Sequence, residues 1–327
     1  MSLPFRAAVA GLVLVALALT AVAPGVAAAA GELGGTTLYA VDLDGGEFSR
    51  VGEVGDGETV VALALAGEAS AYAATADGRL VSFDPSDPGT LSGDVALSGL
   101  GGQTVVGLDV RPATDELFAL GSGSTIFVVD ADSGQATAIA DGAFDPALEG
   151  GAFGFDFNPT VDRIRVVSET GQNLRLNPET GLIGSNPDTG APTVDSRLAY
   201  ADGDANAGAA PAAVGAGYTN SVADAESTKL YVIDAAQDTL ALQDPPNEGV
   251  LNTVGALGVD VAGAVGFDIL ASGTAYATVA TAVQMPNTGT GSTLAAGSAG
   301  TGPLAVLALA MVAALAGIAT TRRLGRA

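Results

Sequence analysis

The chain has no cysteine, no histidine and no tryptophan, and lysine occurs once in its 327 residues, at Lys229. Without Cys there is neither a disulfide nor a thiol nucleophile, and without His there is no Ser-His-Asp triad. Zinc, copper and haem sites of ordinary ligand type are excluded by the same two absences. What stays open is the chemistry of carboxylate pairs, of Ser or Thr with Lys229, of Tyr, and of oxygen-ligated Ca²⁺ or Mg²⁺. The lack of Trp, a flat amphipathic ring suited to stacking on sugars, counts against glycosidase and lectin readings.

Acids are missing too, but only from the ends. Residues 1–30 and 289–327 contain no Asp or Glu, so all 36 acids lie between them. Of the 12 basic residues, Arg6, Arg322, Arg323 and Arg326 fall in the ends, leaving eight in the middle and a formal charge there of −28. A surface of this sign repels nucleic acid and anionic lipid, so no nucleic-acid partner is expected.

Residues 1–30 have the layout of a signal peptide. A positive start from Met1 to Arg6 precedes an apolar core from Ala7 to Ala23, and Ala27 to Ala30 offer cleavage sites before Gly31. Export by the general secretory route, with signal peptidase as a partner, is the expectation. An uncleaved anchor is the alternative, and the helix-breaking Pro24-Gly25 stands against it.

From Gly31 to Ala282 the chain carries four-to-six-residue apolar runs punctuated by Gly, Asp, Asn and Pro, without an amphipathic helical pattern. That is an all-β signal. The runs recur: Val60–Leu65, Val105–Val110, Ala152–Phe157, Ala213–Tyr218 and Ala264–Ile269 align, and Ala62, Gly107, Gly154, Gly215 and Gly266 are equivalent. Their spacings of 45, 47, 61 and 51 residues are blade-sized, with one long loop.

Each of these runs leads into a second one, as in Leu117–Leu120 and Ile164–Val167. The segment from Leu38 to Phe48 matches the last half of a repeat with no first half before it, while Ala264–Thr278 matches a first half with no second half after it. We expect a five-bladed β-propeller over residues 31–282, its last blade closed by both chain ends: residues 36–54 as strands three and four, and 264–280 as strands one and two. Six blades or a β-sandwich are the alternatives.

Gly154-Phe155-Asp156-Phe157-Asn158-Pro159, Asp162-Arg163-Ile164-Arg165-Val166-Val167, Asn173–Pro178, Gly203–Gly208 and Leu230–Asp234 together resemble the DUF4394 family of secreted bacterial proteins, over about residues 34–280. The resemblance implies repeat architecture and export. It carries no catalytic residues.

Residues 283–303 form a Gly/Ser/Thr/Ala linker holding Met285-Pro286-Asn287-Thr288-Gly289, which resembles the LPxTG sorting signal with Met in place of Leu. An apolar segment at 304–319 and a basic tail at 320–327 follow, the order of a stop-transfer signal with a cytoplasmic end. The resemblance implies cleavage between Thr288 and Gly289 by a sortase and attachment of Thr288 to a cell-wall amine. A permanent transmembrane helix at 304–319 is the alternative. In either case the expected location is the extracellular face, anchored to the cell wall or the membrane.

Three constellations are candidate sites. Asp109, Asp156 and Asp268 hold the same place in three repeats, beside the Gly of the first strand, and form a candidate channel ring that either faces a cation or ligand or bonds neighbouring backbone amides. Asp202, Asp204 and Asn206 alternate like the start of a calcium loop, without its downstream Glu. Arg163, Arg165 and Arg175 alternate along two strands, as a fork for carboxylate or sulfate groups or as partners for nearby acids. The expected function is a cell-surface-anchored, non-catalytic binding or adhesion propeller with no cofactor. The alternative is a glycosidase-like surface hydrolase using a carboxylate pair, supported by calcium.

Overall fold

Short apolar runs cannot bury themselves singly, and here they pair in meanders. The computed structural model describes residues 33–184 and 194–282. Its strands β1 (Leu33–Val41) and β2 (Phe48–Glu53) are followed by β3 (Val60–Leu65), β4 (Ala71–Thr75), β5 (Arg79–Asp84) and β6 (Asp87–Ala96), which make blade one. Blade two is β7 (Val105–Val110), β8 (Leu117–Gly121), β9 (Thr125–Val129) and β10 (Ala136–Ala138), and blade three is β11 (Phe153–Asn158), β12 (Arg163–Ser168), β13 (Asn173–Asn177) and β14 (Leu182–Ile183). After β15 (Ala199–Tyr200) come β16 (Ala213–Tyr218), β17 (Leu230–Asp234), β18 (Thr239–Gln243) and β19 (Val250–Ala256) of blade four. Last are β20 (Phe267–Ile269) and β21 (Ala275–Ala282).

The fifth sheet has the order β2-β1-β21-β20, so both ends of the described chain build one blade. Strands β1 and β21 run antiparallel with Tyr39 opposite Ala277 and Val41 opposite Ala275. The protein is therefore an all-β, five-bladed propeller closed as expected, and the six-blade and sandwich alternatives fall. The long interval of 61 residues from Gly154 to Gly215 contains β15, which adds to blade four as a fifth strand parallel to β19, with Ala199 opposite Val250.

Strands β3, β7, β11, β16 and β20 are the inner strands, and each packs on the next around a closed ring. Glycine makes that approach close enough. A Cβ on Gly107 would lie 2.5 Å from Phe155 Cβ, one on Gly154 2.5 Å from the Ala216 nitrogen, one on Gly215 2.9 Å from Phe267 Cβ, and one on Gly266 2.4 Å from Leu63 Cβ. Between blades the packing is apolar: Phe118 and Ile126 of blade two bury against Phe155, Phe157 and Ile164 of blade three, with Phe118 edge-on to Phe157 at 5.0 Å between ring centres. Each fully buried Phe contributes about 1.5–3 kcal/mol by leaving water.

The expected signal peptide (1–30), sorting motif Met285–Gly289, apolar segment (304–319) and basic tail (320–327) lie outside the described residues. Among the described residues no helix is long and apolar enough to cross a membrane.

Candidate functional site: a carboxylate ring, a cleft and an arginine row

The structure brings Asp109, Asp156 and Asp268 together. One carboxylate oxygen from each lies within 4.8 Å of the others, and all three residues are 3–4% exposed. Each carboxylate reaches to the next blade. Asp109 Oδ2 accepts the Phe157 N–H at 2.7 Å, Asp156 Oδ1 accepts the Tyr218 N–H at 3.1 Å, and Asp268 Oδ2 accepts the Leu65 N–H at 2.6 Å.

Two repeats have no Asp at this place, having Ala64 and Gly217 instead. The amides they would have served are Val110 and Ile269, and these turn to their own blade's carboxylate: Val110 N–H donates to Asp109 Oδ1 at 2.7 Å and Ile269 N–H to Asp268 Oδ1 at 2.5 Å. Three carboxylates thus satisfy the equivalent amide in all five inner strands. The sixth oxygen, Asp156 Oδ2, accepts no hydrogen bond from a described residue.

Such a set cannot carry three negative charges at ease. Burial pushes the Asp109 carboxyl well above the usual range, and the Asp268 charge adds to the effect. Burial again, then the charges of Asp109 and Asp268, push Asp156 up. Asp268 is pushed up to about 6 by burial, against the pull of the Leu65 and Ile269 amides. Like charges this close titrate as one unit, and the set keeps protons above the usual carboxylate range. Three clustered carboxylates could also donate oxygens to a hard cation, in competition with the five amides.

The channel beside the ring is filled. Lined by Leu63, Gly107, Phe155, Ala216 and Phe267 among others, it retains only about 10 Å³, the room of a single water. Open space lies elsewhere. A cleft of about 1060 Å³ runs outward between blades one and two from the ends of β3 and β7, walled by Leu65, Tyr72, Val110, Glu116 and Asp130, and by Ser221–Ala223 from the long β16–β17 loop. Val222 in that wall is 48% exposed. A second cavity, of about 570 Å³, opens at the other end of the inner strands beside Gly99, Gly101 and Gly102.

The remaining candidates are placed separately. Asp204 bonds the Thr253 N–H, the Thr253 hydroxyl and the Asn206 N–H, and Asn206 Nδ2 also reaches Thr253, so these two pin the loop to β19 while Asp202 is exposed. Burial tends to raise the Asp204 carboxyl, but the Thr253 and Asn206 donors outweigh it and hold it below the usual range. Arg165 and Arg175 stand directly opposite each other on β12 and β13 and share Asp195, which accepts from Arg165 Nη1 at 2.6 Å and from Arg175 Nε at 2.8 Å. Asp195, Tyr218 and the Ser221–Ala223 wall escaped sequence reasoning. They lie outside the repeat's aligned polar positions, and only folding carries them to their partners.

Among known proteins, a family model described as Domain of unknown function (DUF4394) matches residues 79–312. Its span differs from the expected 34–280: it starts at the head of β5 and runs beyond β21. No curated protein matches the chain. Matching solved structures are distant. YCF48 bound to D1 peptide is 12% identical over 63% of this chain and 56% of that one, with a TM-score of 0.34, so the chain spans little more than half its length. A structural genomics protein of unknown function from Bacteroides thetaiotaomicron is 14% identical over 76% of each chain, with a TM-score of 0.37. BamB from Moraxella catarrhalis is 14% identical over 77% of this chain and 92% of that one, with a TM-score of 0.34.

Proposed function

The chain belongs to the DUF4394 family, and on that premise we propose that it is an exported, surface-anchored propeller that binds a ligand without transforming it. The observation that carries the reading is the contrast between the filled channel, with about 10 Å³ left, and the cleft of about 1060 Å³ between blades one and two. A hydrolase of the carboxylate-pair type needs an acid of raised pKa that a substrate can touch. Here the carboxyls that burial raises sit in the ring at 3–4% exposure and hold backbone amides. The cleft offers a different surface: main chain, Leu65, Val110 and Val222, with Asp115, Glu116 and Asp130 at its polar side. Such a mixed wall suits recognition of an extended, uncharged or cationic chain.

Anchoring rests on the order of segments at the C-terminus. Sortase would cleave after Thr288 and leave the propeller on the outer surface, with the linker from residue 283 as its tether.

The test is a binding and turnover screen of the purified protein against surface polysaccharides and cationic peptides. Saturable binding that Val222→Asp weakens, with no product formed, is expected. Turnover of any glycan sinks the non-catalytic reading. Mass spectrometry of native material should find the chain ending at Thr288, and a chain continuing past Gly289 sinks the sortase reading.

A further inference from the structure

Eight cations serve the whole middle of a strongly acidic chain, and three of them crowd one cavity. It measures about 250 Å³ and lies between blades three and four, apart from the cleft, lined by Asn158, Arg163, Arg165, Arg175, Tyr218 and Asn247 among others. Strand register explains the crowding. Arg163 and Arg165 are two apart on β12 and share a face, and Arg175 stands opposite Arg165 on β13. Like charges directly opposite on neighbouring strands are destabilising.

Compensation is incomplete. Asp195 is the one carboxylate bonded to Arg165 and Arg175 among the described residues, and it does not line the cavity. Arg163 makes no ion pair with a described residue, since Asp162 gives it only a backbone carbonyl, at 2.7 Å, and turns its carboxylate to Arg111. Asp156 on β11, paired with Arg165 on β12, forms no ion pair with it among the described contacts. Among the described residues three positive charges stand against one negative, an excess of two.

The site is also built. Arg165 is 1% exposed and is held by Asn173, Asp195, Asn247 and Tyr218, with Tyr218 OH accepting from Nε at 3.3 Å and Asn247 Oδ1 from Nη2 at 2.8 Å. Donors remain unused among the described residues: Arg175 Nη1, Arg163 Nε and Nη2, and the hydroxyl proton of Tyr218. Planar guanidinium forks match the oxygens of phosphate and carboxylate groups, and rigid ones lose little freedom on binding.

We propose that the cavity between blades three and four binds a small doubly charged oxyanion, with Arg163 and Arg175 as its direct ligands and Arg165 as the buried charge behind them. Two charges match the excess, and a cavity of about 250 Å³ admits phosphate, sulfate or a short dicarboxylate but not a polymer. The chemistry is shared by phosphate groups and paired carboxylates.

The experiment is calorimetric titration of the purified protein with inorganic phosphate, sulfate and succinate at constant ionic strength, with acetate as the monoanion control. Saturable one-site binding of at least one dianion in the millimolar range or tighter is expected, with acetate at least tenfold weaker. Arg163→Gln, a partly exposed position, should weaken binding at least tenfold with an unchanged Tm, while Arg50→Gln at a distant exposed pair should change nothing. If no dianion binds saturably, or if Arg163→Gln binds like the parent protein, the proposal fails. The dianion that binds best identifies the ligand as a phosphate-type or dicarboxylate-type group.

Discussion

The carboxylate of Asp109 accepts the amide of Phe157 at 2.7 Å across the boundary between blades two and three, and its other oxygen takes the amide of Val110 in its own blade. One side chain thus serves two blades, covering for the Asp that blade one lacks at Ala64. Asp268 does the same for Leu65 and Ile269. The ring is a fastening of the inner strands, and its proton content ties the fold's stability to pH.

A carboxyl raised in the folded state binds more protons folded than unfolded over the interval between its two pKa values. Its contribution is complete below the unfolded value of about 4 and is lost as pH rises through the folded value. For Asp268 that window closes near 6, and Asp109 and Asp156, also raised by burial, contribute in the same direction. Tm should therefore fall as pH is raised from about 4 towards 8 in scanning calorimetry at fixed salt. A flat profile, or a rising one, contradicts the ring's protonation.

Asp156 uses one oxygen, Oδ1, for the Tyr218 amide, and Asn keeps that acceptor while removing the charge. Asp156→Asn should raise Tm at pH 8 and should flatten the pH profile, because it removes a buried carboxylate charge that burial and its two neighbours disfavour. Calcium and chelator should leave Tm unmoved, because amides already occupy five of the six ring oxygens. A calcium-dependent rise in Tm that Asp156→Asn abolishes would make the ring a cation site.

Gly154 faces the backbone of β16 with no room for a Cβ: it would meet Ala216 N at 2.5 Å and the Gly215 carbonyl carbon at 2.6 Å. Gly154→Ala should cost about 1–3 kcal/mol in urea denaturation, as overpacking of a close contact does. At Gly142 nothing lies within 4 Å, so Gly142→Ala is the neutral comparison.

Asp195 is the anion that keeps Arg165 company in the interior, their side chains being 3% and 2% exposed. Asp195→Asn should destabilise by about 3–5 kcal/mol, because a buried guanidinium is left without its charge partner. A loss below 1 kcal/mol, of the size seen for exposed pairs, would show the bridge to be solvated.

Closure of the fifth blade depends on β21 pairing with β1. Deleting residues 264–282 removes two of that blade's four strands and opens an edge on β1, so the cooperative thermal transition should be lost. A truncated chain that melts cooperatively at the parent temperature would mean that the blades are held without it.

Repeat length, blade count and the split last blade were legible in the chain, because Gly-x-Asp and the apolar runs around it are local patterns that return at a blade-sized interval. The same lettering identified the three ring carboxylates by number. It also left open whether they meet a cation or backbone amides, and that is a question of distance between blades. The bond from Leu65 to Asp268 joins residues 203 apart, and no local pattern encodes it. Asp195 was invisible for a related reason: it belongs to an irregular stretch before β15 and reaches Arg165, 30 residues away, only when blades three and four dock. Side-chain type and spacing are written along one dimension. Which oxygen faces which amide, and where positive charge exceeds negative, arise only when the ring closes.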